Sequence, residues 1–102
     1  MIKNKKIVLT GADSGIGLEV LKILAAEESN KILAVDINCN NMDKLSDNVT
    51  PFICDVSSQE NVDLIFNKAK KLFGKIDIFD YHTTVEVPEA ESDYILDSVN
   101  PI

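Results

Sequence analysis

Arginine and tryptophan are both absent from these 102 residues, and histidine occurs once. Ten lysines are the whole positive complement against 17 acids, giving a formal net charge of −7. Without a guanidinium fork the chain has no bidentate grip on a phosphate or a base edge. Bases also stop at Lys75: residues 76–102 hold Asp77, Asp80, Glu86, Glu89, Glu91, Asp93 and Asp97 and no lysine, whereas acids and lysines cancel over residues 1–75. Neither nucleic acid nor an anionic membrane surface is therefore expected as a partner, because both are bound mainly by neutralising phosphates.

Long apolar runs are also lacking. No stretch approaches the ~20 residues of a membrane span. The basic start MIKNKKIVLTGA meets a glycine motif too soon to hold a secretory apolar segment, so a cytoplasmic location is expected. The two cysteines, Cys39 and Cys54, have no metal-ligand spacing and are expected as reduced thiols, with no metal site. What is present, 45% hydrophobic and 26% charged residues, is the composition of a globular protein. At this length one domain is expected, burying roughly 65% of its extended surface.

Short apolar runs alternate with helical periods, the pattern of an α/β fold with a parallel sheet. Lys6–Thr10 is a continuously apolar, β-branched run, as befits a strand covered on both faces. From Gly15 to about Glu28, the residues Gly17, Val20, Leu21, Leu24 and Ala25 mark one helical face. A second strand is predicted over Lys31–Asp36, a weak helical turn near Met42–Leu45, and a third strand over Thr50–Cys54 with Pro51 at its start. Ser57 and Glu60 read as a capping box for a helix whose stripe is Val62, Ile65, Phe66, Ala69, Leu72 and Phe73, closed by Gly74. That stripe reads as core rather than as a partner's docking face. A fourth strand over Lys75–Asp80 and a short helix near Ser92–Val99 complete the order.

Glycine is scarce, four in all, and three lie in TGADSGIG between the first strand and the first helix. That context gives the motif its meaning. Gly11 permits the sharp turn, Gly15 lets backbone approach a pyrophosphate, and Gly17 lets helix and strand pack closely. The helix N-terminus offers free N–H groups and positive potential to a phosphate, with Thr10 and Ser14 adding hydroxyls. Asp36 ends the second strand 19 residues after Gly17, where a carboxylate can accept from both ribose hydroxyls of an adenosine. The same charge repels a 2′-phosphate, and no arginine exists to receive one, so NAD is expected over NADP, although Lys44 could partly substitute. Asp55 either meets the adenine amino group, with the Val56 N–H on a ring nitrogen, or caps the next helix. Cys54 reads as a small core residue, and His82 as a solvated or packing residue rather than a catalytic base.

TGADSGIG, Asp36 in LAVDIN, Asp55-Val56, and GKIDIF at Gly74–Phe79 together resemble the N-terminal half of the short-chain dehydrogenase/reductase family. The resemblance implies a doubly wound Rossmann-like parallel sheet, truncated to about four strands. It also implies an NAD-binding domain spanning 1–102, with 1–75 as the nucleotide-binding core and 76–102 as the fourth strand and acidic segment. The residues expected at the cofactor are Thr10, Gly11, Ser14, Gly15, Ile16, Gly17, Asp36, Ile37, Asp55 and Val56. NADP-using members often carry a base where Ser14 stands, which again favours NAD. Departures from the pattern follow the fourth strand. Tyr81, His82, Thr83 and Thr84 replace the family's Asn-Asn-Ala-Gly turn, Val99-Asn100 is a two-residue match to its helix-borne pair, and neither Tyr81 nor Tyr94 has a lysine four residues on. No catalytic residue is therefore assigned, and hydride transfer by this stretch alone is not expected. The competing expectation is a non-catalytic module forming a homodimer through an exposed fourth strand or uncovered apolar surface. A methyltransferase would want glycines closer to G-x-G-x-G than TGADSGIG provides.

Overall fold

The computed structural model describes residues 2–80. In chain order the elements are β1 (Lys6–Thr10), α1 (Gly15–Ala25), β2 (Lys31–Asp36), β3 (Val49–Ile53), α2 (Gln59–Phe73) and β4 (Ile78–Asp80). The strands form one parallel sheet in the order β3-β2-β1-β4. In register, Val8 stands beside Leu33 and Phe79, and Val35 beside Phe52. Successive side chains in a strand point to opposite faces, and both faces are covered. Val8, Leu33, Val35 and Phe79 pack with Val62, Ile65, Phe66 and Ala69 of α2, where the Phe66 and Phe79 rings stack with centroids 4.5 Å apart. Ile7, Leu9, Ile32 and Ala34 pack on the other face with Leu21 and Ala25 of α1. This is the doubly wound, Rossmann-like α/β arrangement expected from the sequence, and it explains why β1 and β2 are apolar without alternation.

Several boundaries differ from expectation, each for a reason of tertiary contact. Helix α1 stops at Ala25 rather than near Glu28 because asparagine side chains take its last carbonyls: Asn30 Nδ2 donates to Leu24 O and Asn48 Nδ2 to Ala25 O. Strand β3 begins one residue early, which puts Pro51 at its middle. Proline is tolerated there because β3 is the outer strand beside β2, and its missing N–H costs no ladder bond. Residues 42–45 make a turn, not a helix, and Met42 is fully buried against the α1 face of the sheet.

The cap of α2 is Ser58, not Ser57, with Ser58 Oγ accepting from the Asn61 N–H at 3.2 Å. The Ser57 N–H is already held by Asp55 Oδ1 at 2.9 Å, which keeps Ser57 in the preceding turn. Leu72 leaves the apolar stripe and is 45% exposed. Strand β4 is shortened to three residues because Asp77 Oδ2, a side chain, accepts from the Lys6 N–H at 2.8 Å in place of a ladder carbonyl. Asp80, counted above among the charges of the acidic segment, is buried at the end of β4. The helix anticipated near Ser92–Val99, with His82 and Tyr94, lies outside the described residues. Among the described residues, no helix is long and apolar enough to cross a membrane.

Candidate functional site

All four strands run parallel, so their carboxyl ends share one edge, and the chain reverses its direction across the sheet at β1. In open α/β sheets that reversal point is where the crevice opens. Here it carries the glycine loop. Gly11 (φ 64°) and Gly15 (φ 57°) both take the left-handed backbone that the sharp turn requires. Nothing lies within 4 Å of where a Gly15 Cβ would sit, so the backbone there faces open space. Gly17 is constrained oppositely: an added Cβ would stand 1.8 Å from the Gly11 carbonyl oxygen. The close approach is thus of the first helical turn to the loop itself, rather than to the strand.

Ser14 is the N-cap of α1 with extended backbone, and its side chain makes no capping bond. The first-turn amides are therefore not taken by the residue type that usually takes them. Ser14, Gly15 and Ile16 are all exposed, Ile16 at 79%. Thr10 is placed differently. It is fully buried, and its hydroxyl donates to the Asp80 carbonyl at 3.4 Å, joining β1 to β4 rather than facing outward.

Asp36 is half-buried at the end of β2, its Oδ2 accepting from the Asp13 N–H at 2.9 Å and its Oδ1 from the Ile37 N–H at 2.6 Å. A carboxylate 23 positions away along the chain is thereby hydrogen-bonded to the glycine loop. Ile37 flanks it with its side chain exposed. Asp55 follows β3 and is exposed. The Ser57 N–H, then the Ser57 side chain, hold its carboxyl below the usual aspartate range, so it is an acceptor at neutral pH. Val56 beside it packs against the α2-side core. Burial, then the Asp55 charge, pushes the Cys54 thiol up, and its Sγ donates to the Asn61 carbonyl at 3.9 Å. This suits a packing residue rather than a nucleophile.

The expected residues thus gather along the carboxyl edge, except that Thr10 is turned into the sheet. Tyr81–Thr84 and Val99-Asn100 lie outside the described residues. Sequence reading missed Asp13 and Asn41, which lock the loop to the turn after β2: Asp13 Oδ1 accepts from the Asn41 N–H at 2.7 Å and the Met42 N–H at 2.9 Å. A signal was available. An acid beside a helix N-terminus in a loop expected to receive phosphate is electrostatically out of place unless it is turned away and paired. No group of three or more His, Cys, Asp or Glu is placed to hold a metal ion among the described residues. A concavity lined by Ile2, Ile23, Leu24, Ala26 and Glu27 lies at the far end of α1, away from this edge.

A family model described as short chain dehydrogenase matches residues 5–98. The 3-oxoacyl-(acyl-carrier-protein) reductase FabG of Thermotoga maritima is 29% identical over 84 residues, which cover 76% of this chain and 34% of that protein. The crystal structure of 3-ketoacyl-(acyl-carrier-protein) reductase from Brucella melitensis, complexed with NADH, superposes with a TM-score of 0.69 at 28% identity, over 78% of this chain and 34% of its own. LigO from Sphingobium sp. strain SYK-6, in its apo form, gives a TM-score of 0.69 at 24% identity over 82% of this chain and 34% of its own, a likeness of fold. The chain spans about a third of the length of the relatives it matches.

Proposed function

The chain belongs to the short-chain dehydrogenase family, and from that premise we propose that its glycine loop and Asp36 hold the adenosine diphosphate half of NAD for an oxidoreductase. The observation that carries the proposal is the hydrogen bond from the Asp13 N–H to Asp36 Oδ2. It brings the glycine loop and the Asp36 carboxylate to one corner of the sheet, which supports reading them as partners for a pyrophosphate and a ribose.

The residues present fit such a ligand. Gly15 has open space where a side chain would block a pyrophosphate, and the Ser14 side chain leaves the first amides of α1 to another acceptor. Asp36 accepts from the ribose hydroxyls, exposed Ile37 flanks the adenine, the Val56 N–H donates to a ring nitrogen, and the Asp55 carboxylate accepts from the amino group. Thr10 supports this surface from beneath, by tying the end of β1 to β4. The nicotinamide of such a cofactor supplies a hydride acceptor or donor. The part of these residues is to bind the other half of the molecule and fix its orientation. In this reading residues 1–75 are the nucleotide-binding core, and 76–102 contribute β4 and the acidic run.

NAD is favoured over NADP because Asp36 occupies the position a 2′-phosphate would approach and every cation of the chain is a lysine. Calorimetric titration tests the reading. Saturable heat with NAD is expected, with Asp36→Ala raising Kd about tenfold or more, as for loss of a hydrogen-bonded charge. Heat indistinguishable from buffer at millimolar NAD would sink it.

A further inference from the structure

Asp13 is only 3% exposed, and the reading of the site as a dinucleotide site gives its carboxylate no contact with the ligand. A carboxylate removed from water must be supplied with donors, since an unpaired buried charge is far costlier than an unpaired neutral group. Here the donors are main-chain amides: Oδ1 takes the N–H groups of both Asn41 and Met42. The Asn41 side-chain amide donates to the Asp13 carbonyl at 2.8 Å and closes the same ring. Toward β2, the Asp13 N–H holds Asp36, and the Ala12 N–H donates to the Val35 carbonyl at 3.2 Å. One residue therefore joins the glycine loop, the end of β2 and the turn after it. No lysine forms an ion pair with Asp13 among the described residues.

We infer that Asp13 is a positioning residue for nucleotide selection, setting Asp36 and the turn at residues 40–42 as one pre-formed corner that admits a free ribose and rejects a 2′-phosphate. The inference rests on the dinucleotide reading above. Two physical effects act together. Asp36 is held at both oxygens before any ligand arrives, so little ordering is left to oppose binding. Met42 is pinned through its N–H and buried through its side chain, which fixes the path to Lys44, two residues on, whose backbone is already left-handed at φ 60°. Lys44 is the lysine nearest this turn in sequence, and anchoring the turn restricts the backbone movement that would bring it toward a 2′-phosphate.

The test is titration of the full chain with NAD and with NADP, for the wild type, Asp13→Ala, Asp13→Asn and Asn41→Ala. Asparagine keeps an Oδ1 able to accept both amides, whereas alanine leaves them bare. Asp13→Ala is expected to weaken NAD about tenfold or more and to lower the NAD-to-NADP preference, while Asp13→Asn stays within about threefold of wild type for NAD. Asn41→Ala, which removes one bond and keeps the buried acid paired, lowers the preference by a smaller factor and carries the test should Asp13→Ala not fold. A merely structural part would weaken both nucleotides equally. Equal weakening, an unchanged preference in folded variants, or an asparagine variant as poor as the alanine one overturns the inference and leaves the dinucleotide reading standing. A wild type that binds neither nucleotide overturns both.

Discussion

Replacing Gly17 by alanine sets two effects of opposite sign against each other. In an ordinary helix the change stabilises by about 1 kcal/mol, because alanine loses less backbone freedom on folding. Here the new Cβ would lie 1.8 Å from the Gly11 oxygen and 2.7 Å from its carbonyl carbon, both backbone atoms. Relief to even a tight 3.0 Å contact needs a movement of about 1.2 Å between α1 and the loop. The loop is tied down by the Ala12 N–H to Val35 O bond, and Ala12 itself is fully buried. Overpacking of this kind costs about 1–3 kcal/mol and sometimes more, and a lost backbone bond adds about 1. The clash outweighs the helical gain, for a net loss of about 1–3 kcal/mol and a fall in Tm of roughly 4–24 °C. Gly15→Ala is the control, since its Cβ meets nothing and it bears only left-handed strain of about 1 kcal/mol. Thermal unfolding followed by circular dichroism, paired with NAD titration, separates the two. Gly17→Ala should lose stability first, whereas Gly15→Ala should stay folded and, on the proposed dinucleotide reading, lose nucleotide, because its methyl would fill the open space that reading gives to the pyrophosphate. A Gly17→Ala protein melting within about 3 °C of wild type would refute the reasoning.

Ser58→Ala removes the cap of α2 and should cost about 1 kcal/mol in urea denaturation, while Ser57→Ala changes stability by only a few tenths. Equal losses would return the cap to Ser57. Asp77 is held below the usual aspartate range by the Lys6 N–H, and further by Lys75, whose Nζ lies 3.4 Å from its Oδ1. A depressed folded pKa gives stability that is present above the unfolded value of about 3.9 and is lost as pH falls through the folded one. Wild type should therefore exceed Asp77→Asn by about 1 kcal/mol at pH 7, with the gap closing below about pH 4. A gap independent of pH would contradict this account.

The fold was legible wherever local chemistry sufficed. A glycine motif between a β-branched run and a helical period admits few backbones, so β1, the turn and α1 begin where the residues say. Gly74 ends α2 for the same reason, with φ 80° and its N–H on the Lys70 carbonyl. The continuous apolar runs of β1 and β2 implied two covered faces, and the two core clusters have their residues in strict alternation. Asp36 was legible by its spacing from the loop.

What only the tertiary structure decided are the matters settled by partners far off in sequence. Asn48 takes the Ala25 carbonyl at the end of α1, Asp77 takes the first ladder position of β4 from a strand 71 residues earlier, and Thr10 donates its hydroxyl to Asp80. Asp13 is the sharpest case, because a sequence shows a charge but not whether it is buried or which amides meet it. By itself the sequence determined the backbone conformations that residue type dictates and the side each apolar residue must seek. Hydrogen-bond partnership depends on which segments the packed sheet brings within 3 Å, and that exists only once the chain has folded.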